Sequence, residues 1–112
     1  MSRMRYRRRS KYNAKRTELD GYKFDSLAEA RHYSDLLVRK AAGEIHGDIE
    51  VHPVYPIVVN GHPVCRVELD FRYRDTAGKE HVVDIKGRDL PMSKLKRKLL
   101  FAAHGISVEV IR

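Results

Sequence analysis

The chain has 112 residues, which is the length of one small domain, and it carries a net charge of +8. No apolar run approaches the roughly 18 residues of a membrane-spanning helix, and the charged N-terminus lacks the apolar segment of a signal peptide. Its single cysteine, Cys65, excludes an internal disulfide and fits a reducing compartment. We therefore expect a cytoplasmic, one-domain protein without a membrane span.

The excess positive charge lies at the start of the chain. Residues 1–16 hold eight of the 23 Lys and Arg residues and none of the 15 acidic residues, so the rest of the chain has 15 of each sign. Residues 1–15 also lack apolar periodicity, which predicts a flexible arm ahead of a single domain over residues 16–112. Such an arm is typical of proteins that bind nucleic-acid phosphates, although a solubilising tail has the same composition. The cations are Arg3, Arg5, Arg7, Arg8, Arg9, Lys11, Lys15 and Arg16.

The first predicted elements are a small hairpin and a helix. Asp20-Gly21 is a two-residue hairpin signal between apolar residues. Ser26 is a good N-cap and Glu29 stands three residues later, as in a capping box, so a helix is predicted over about 26–42. Gly43 is the expected C-cap of that helix.

Three strands are predicted next. The segment 49–59 contains two prolines, which is typical of an edge or irregular strand, and it ends at the hairpin signal Asn60-Gly61. The segment 62–74 alternates apolar and polar residues, with Cys65 on the apolar face, and 80–86 forms the third strand.

A second amphipathic helix, over 92–105, and a last strand, over 106–112, complete the predicted fold. The periodicity of this helix predicts that Leu95, Leu99, Leu100 and Ala103 form its buried stripe. The order of helix, three strands, helix and strand predicts an α/β fold with a mixed sheet.

Two carboxylates are predicted to meet across the second hairpin of this sheet. Asp70 and Asp84 each lie about five residues from the turn at 75–79, so they should be cross-strand neighbours. Adjacent carboxylates repel each other unless a cation lies between them. Lys86, on the same face as Asp84, offsets part of the repulsion, and a divalent metal would offset more. A solvent-facing strand with an ordinary salt bridge would show the same spacing.

The chemistry of these side chains fits phosphodiester hydrolysis. Mg²⁺ prefers a few carboxylate oxygens and keeps several waters, one of which can attack a phosphodiester. A neighbouring lysine can neutralise the charge that develops on the phosphate. Asp70, Asp84 and Lys86 would supply these groups, with the Ile85 carbonyl as a further metal ligand.

The residues around this pattern also resemble a known family. The segments KYNAKRTELDGYKFDSLAEARHY, DFRYRDTAGKEHVVDIKG and KLKRKLLFAAHGI are similar to those of small phage-encoded proteins of the PD-(D/E)XK nuclease superfamily, related to Holliday-junction resolvases. The resemblance implies a restriction-endonuclease-like sheet with Asp70 and Asp84 as the motif acids and Lys86 as the motif lysine. Leu69 stands where the motif name has proline. The implied activity is cleavage of branched DNA in recombination by a homodimer that uses Mg²⁺, or Mn²⁺ in its place.

The resemblance also implies roles for both helices. An acid on the first helix contributes to the metal site in resolvase-like members, directly or through water, and Glu29 fits that position. The alternative is that Glu29 only completes the capping box. A lysine of the second helix would approach the scissile phosphate, with Lys96 and then Lys94 as candidates. The alternative is an ordinary solvent-facing helix surface.

Other functions remain open at this stage. A nicking, flap-cutting or restriction-like nuclease would share the motif, and a non-catalytic nucleic-acid-binding module would share the arm. The six histidines show no metal-ligand spacing, so no zinc site is predicted. The segment around Val54, Tyr55 and Ile57 is the predicted dimer edge.

Overall fold

The computed structural model describes residues 17–112, so the predicted arm lies outside the described residues. The chain forms two compact units, one ending at Asp35 and one running from Leu36 to Arg112. In chain order, the elements are β1 Thr17–Leu19, β2 Tyr22–Phe24, α1 Leu27–Ala41, β3 Ile45–Val51, β4 Val54–Val59, β5 His62–Glu68, β6 Phe71–Asp75, β7 Glu80–Ile85, α2 Pro91–His104 and β8 Val108–Ile111. Neither helix of this part of the chain is long and apolar enough to cross a membrane.

The first unit holds the predicted hairpin and the start of the predicted helix. Asp20 and Gly21 both have positive φ, of 53° and 80°, as a tight hairpin turn between β1 and β2 requires. The Tyr33 hydroxyl donates a hydrogen bond to Asp20 across 3.3 Å and so ties α1 to the turn. Phe24 is fully buried, and its ring packs 5.3 Å from that of Tyr33. The prediction of a helix over about 26–42 is confirmed.

The second unit contains a mixed sheet in the order β3-β6-β7-β8. β6 pairs antiparallel with β3 and with β7, whereas β8 pairs parallel with β7. A parallel neighbour requires a crossover connection, and α2 provides it between β7 and β8. The predicted α/β class and mixed sheet are therefore confirmed.

The predicted number of strands between the helices is wrong, because the structure has five rather than three. The two long strands expected before and after Asn60-Gly61 are each divided in two. β3 ends before His52, which has a φ of 57°, and the following Pro53 cannot donate a ladder hydrogen bond. The partner strand breaks opposite this point, between β5 and β6.

The two breaks together form a corner in one continuous ribbon. Val51 pairs with Phe71 on one side of the corner, and Val54 pairs with Glu68 on the other, so the register is unchanged across it. At the corner, the His52 N–H donates to the Asp70 carbonyl across 2.9 Å, and a second backbone bond of 3.0 Å joins residues 69 and 53. The ribbon therefore leaves the four-stranded sheet at Asp70 and continues as the separate β4–β5 pair.

The main apolar cluster lies between the β4–β5 ribbon, β7 and α2. Leu100 of α2 is fully buried, and Cys65 packs against the cluster, as predicted. The buried members are Tyr55, Ile57, Val67, Leu69, Val82 and Leu100. The proposed dimer edge is therefore wrong in two of its three residues, since Tyr55 and Ile57 belong to this core.

The helix α2 buries less than its periodicity predicted. Pro91 occupies the first turn, and Gly105, with a φ of 70°, ends the helix, close to the predicted bounds. Leu100 is buried and Leu99 is partly buried, but Leu95 is 50% exposed and Ala103 is also exposed. The predicted buried stripe is therefore correct only in its central pair.

Candidate active site

The two predicted carboxylates lie at the corner of the ribbon, where β6 and β7 begin to separate. The paired register of β6 and β7 ends at Phe71 and Val83, so Asp70 lies one residue beyond it. The Asp70 N–H donates to the Val83 carbonyl across 3.1 Å and so fixes the main chain of Asp70 beside β7. The main chain of Asp70 is therefore held beside Val83, next to Asp84 in the chain.

Where the pairing of β6 with β7 ends, the Asp70 side chain also forms a hydrogen bond to β7. Its Oδ2 atom accepts a hydrogen bond of 2.7 Å from the N–H of Ile85, the last residue of β7. The carboxylate is therefore held against the main chain between Asp84 and Lys86. Hydrogen bonds to an ionised carboxylate are stronger than neutral ones, so this contact positions the charge firmly.

Asp84 is the one buried charged residue in residues 17–112, with 7% of its surface exposed. Its Oδ2 atom lies 3.1 Å from the Lys86 ammonium, which also donates to the Ser93 hydroxyl across 3.3 Å. Asp84 and Lys86 are two residues apart at the end of β7 and so lie on the same face of the chain. Ser93, in the first turn of α2, thereby ties the helix to the end of this strand.

A second ion pair, which the sequence analysis missed, lies beside the start of α2. Arg97 donates two hydrogen bonds to Asp89, of 2.8 Å and 2.5 Å, and both side chains are largely buried. These bonds to Asp89 raise the pKa of Arg97, and the negative charge of Asp84 raises it further. Arg97 likewise lowers the pKa of Asp89. Lys86 and Arg97 thus place two cations in the field of Asp84.

His52 is a further residue that spacing did not reveal. A ring nitrogen of His52 and a carboxylate oxygen of Asp70 lie within 4.8 Å of each other, which is within reach of one shared metal ion. The corner creates this proximity, since His52 is far from Asp70 in sequence. The signal for it was the His52-Pro53 break directly across the ribbon from Asp70.

Glu29 lies in the first unit, on the first turn of α1. The Ser26 hydroxyl accepts a hydrogen bond from the Glu29 N–H across 3.2 Å and donates one to its carboxylate across 3.4 Å. The local capping interaction between these residues is therefore present. The predicted role of Glu29 in the metal site stays a prediction.

The structure separates the two lysine candidates on α2. Lys96 follows Ser93 by three residues and so shares the helix face that contacts Lys86. Lys94 lies on a different face, with Lys98 and Phe101, along a groove. Of the predicted DNA-binding residues, those of the arm lie outside the described part of the chain.

Comparison with known proteins gives one family. The family model described as "Protein of unknown function (DUF1064)" matches residues 9–110, which is nearly the whole chain. A comparison with curated proteins and a comparison with solved structures each find no match.

Proposed function

We propose that the chain, which belongs to the DUF1064 family, is a metal-dependent endonuclease that hydrolyses phosphodiester bonds in branched DNA. The observation that carries the proposal is the group of charges at the end of β7. The buried Asp84 carboxylate pairs with Lys86, and the Asp70 carboxylate accepts a hydrogen bond from the N–H of Ile85, the residue between them.

The donor set fits a hard divalent cation. Asp70 and Asp84 offer carboxylate oxygens, and hard cations such as Mg²⁺ and Mn²⁺ prefer oxygen ligands. The Ile85 N–H points to Asp70, and the N–H and C=O of one strand residue point to the same edge of the strand. The Ile85 carbonyl is therefore proposed as a third ligand. When bound, the metal would supply an activated water and stabilise charge on the phosphate.

Lys86 is proposed to stabilise the attacked phosphate. Ser93 and Asp84 hold its ammonium from two sides, so its position is set before substrate arrives. A preorganised cation stabilises a developing charge without the free-energy cost of reorientation. Lys96, on the same helix face as Ser93, is the proposed second phosphate contact, and Glu29 remains a proposed contributor to the metal site.

DNA binding is proposed to rest on the basic arm and on α2. Phosphate contacts by the eight cations of residues 1–16 would give affinity that falls steeply with salt. Resolution of a four-way junction needs two symmetric cuts, so the active form is proposed to be a homodimer. Nicking, flap-cutting and restriction-like activities use the same chemistry and are distinguished by the substrate that is cut.

A non-catalytic DNA-binding module is the second candidate. The observation that favours it is the 3.1 Å ion pair between Lys86 and Asp84, which neutralises the buried carboxylate without a metal. In that case, the basic arm would carry the function and the paired charges would only stabilise the end of β7.

A cleavage assay separates these candidates. An immobile four-way junction and a linear duplex with the same arms would be incubated with Mg²⁺ or Mn²⁺. Asp84→Asn should lower cleavage at least about 100-fold, the typical effect of removing one charge-stabilising group. Glu80→Gln is the matched control, because Glu80 is an ion-paired acid on the same face of β7 but at its opposite end.

Each result assigns a function. Paired nicks on the junction alone, lost in Asp84→Asn but retained in Glu80→Gln, would establish a resolvase. Cleavage of both substrates would keep the nuclease but remove branch specificity. Tight binding without cleavage under either metal would establish the binding module instead.

A further inference from the structure

A basic groove runs along α2. It has a volume of about 530 Å³ and lies between the helix and the segment that leads into β8. Lys94, Lys98 and Phe101 line it from α2, and Ile106 and Val108 line it from the other side. The spacing of three and four residues along α2 places the first three side chains on one stripe.

Phe101 is the unusual member of this groove. Phe101 is 59% exposed, although phenylalanine is usually buried in folded proteins. Leu100, the preceding residue, is fully buried. Ile106 and Val108 extend the apolar surface around the ring. The groove therefore offers an aromatic ring and an apolar wall to a flat apolar group.

The charge of the groove favours an anionic occupant. Its lining includes Lys94, Arg97 and Lys98 and no acidic residue. Arg97 is paired with Asp89, whereas within residues 17–112 neither lysine ammonium forms an ion pair. A second copy of this chain is a poor occupant, because the chain carries a net charge of +8 and would be repelled by a basic groove.

We propose that this groove binds an unpaired nucleotide of DNA, with the base stacked on Phe101 and the flanking phosphates beside Lys94 and Lys98. Successive aromatic and cationic side chains are the common way to bind single strands, because every base has a face that can stack. The proposal rests on the proposed function for the nature of the substrate. It gives the nuclease a means to recognise unpaired bases at a branch.

The test is binding without cleavage. The affinity of the full chain for a fluorescent oligothymidylate and for a duplex would be measured by anisotropy, in the presence of a metal chelator. Phe101→Ala should weaken binding of the single strand about 5- to 100-fold, as expected for the loss of one stacked base, and Phe101→Tyr should retain it. Leu95→Ala is the matched control, since Leu95 is an exposed apolar residue of α2 outside the groove.

The outcomes are distinct. Phe101→Ala with unchanged single-strand affinity would overturn the proposal. So would a lower oligomeric mass of Phe101→Ala in sedimentation, because the groove would then be a contact between subunits. Equal losses for single strand and duplex would also overturn it, because a duplex has no unpaired base to stack on Phe101. Because no metal is present, a failure of Asp84-dependent cleavage would leave this result untouched, and the reverse also holds.

Discussion

Divalent metal should stabilise the fold, and Asp84→Asn should remove that stabilisation. Asp70 and Asp84 both bring a carboxylate to the end of β7, where Asp70 accepts from the Ile85 N–H and Asp84 is buried. Lys86 lies 3.1 Å from Asp84, and two opposite unit charges at that distance attract by about 5 kcal/mol at an effective dielectric constant of about 20. This single cation does not neutralise both carboxylates, so a bound divalent cation should stabilise the fold further.

The expected effect is large enough to measure. Metal at ten times its dissociation constant stabilises the folded state by about 1.4 kcal/mol, which raises the Tm of a domain of this size by about 6–11 °C. Thermal melts would be recorded with Mg²⁺ or Mn²⁺, with chelator, and with NaCl at matched ionic strength. The rise should appear in the wild-type chain and in Glu80→Gln, but not in Asp84→Asn. A rise that survives in Asp84→Asn, or that NaCl reproduces, would refute a metal site at Asp84.

Three further predictions concern other parts of the chain. His52→Ala should weaken Mn²⁺ binding more than Mg²⁺ binding in calorimetric titrations, because imidazole is a better ligand for transition metals. Equal losses of affinity for the two metals would show that His52 is not a ligand. Deletion of residues 1–10 removes five arginines and should reduce the slope of log K against log salt for duplex binding by about 4.5. An unchanged slope would show that the arm does not contact the phosphates. Hydrogen bonds to Asp75 and Glu109 raise the pKa of His81. Protonated His81 therefore stabilises the folded state fully below the ordinary histidine pKa, and this stabilisation is lost as pH rises through the raised pKa. Urea titrations across this range should show the loss in the wild-type chain and not in His81→Gln, and parallel curves for the two proteins would contradict it.

The local elements were predictable because their signals lie within a few residues. Both predicted tight turns, Asp20-Gly21 and Asn60-Gly61, are present. Their residues have positive φ values, which Asn, Asp and Gly tolerate better than other residues. On the side of the ribbon that holds Asp70, the corner left no such signal, because the apolar alternation continues through it and both Leu69 and Phe71 are buried. Only the pairing partners show that the ribbon changes sheets there.

The residues of the candidate site likewise divide into those that the sequence predicted and those that it missed. That Asp70 and Asp84 lie near each other follows from counting back from one hairpin turn. His52, Ser93 and the Arg97–Asp89 pair come near the site through a corner and a helix crossover. No short sequence pattern encodes the contacts of Ser93 and of the Arg97–Asp89 pair. The periodicity argument failed for α2 because one face of this helix is partly apolar but exposed.

The unchanged register across the corner of the ribbon has a consequence for changes in chain length. Side chains alternate across a strand, so one residue added between Val54 and Ile57 would shift the pairing by one step and turn Asp70 to the opposite face. Beyond Ile57, a bulge already interrupts the register, and the hairpin tip at Asn60-Gly61 is exposed. Related chains should therefore differ in length at this tip, where extra residues leave the distant carboxylate in place.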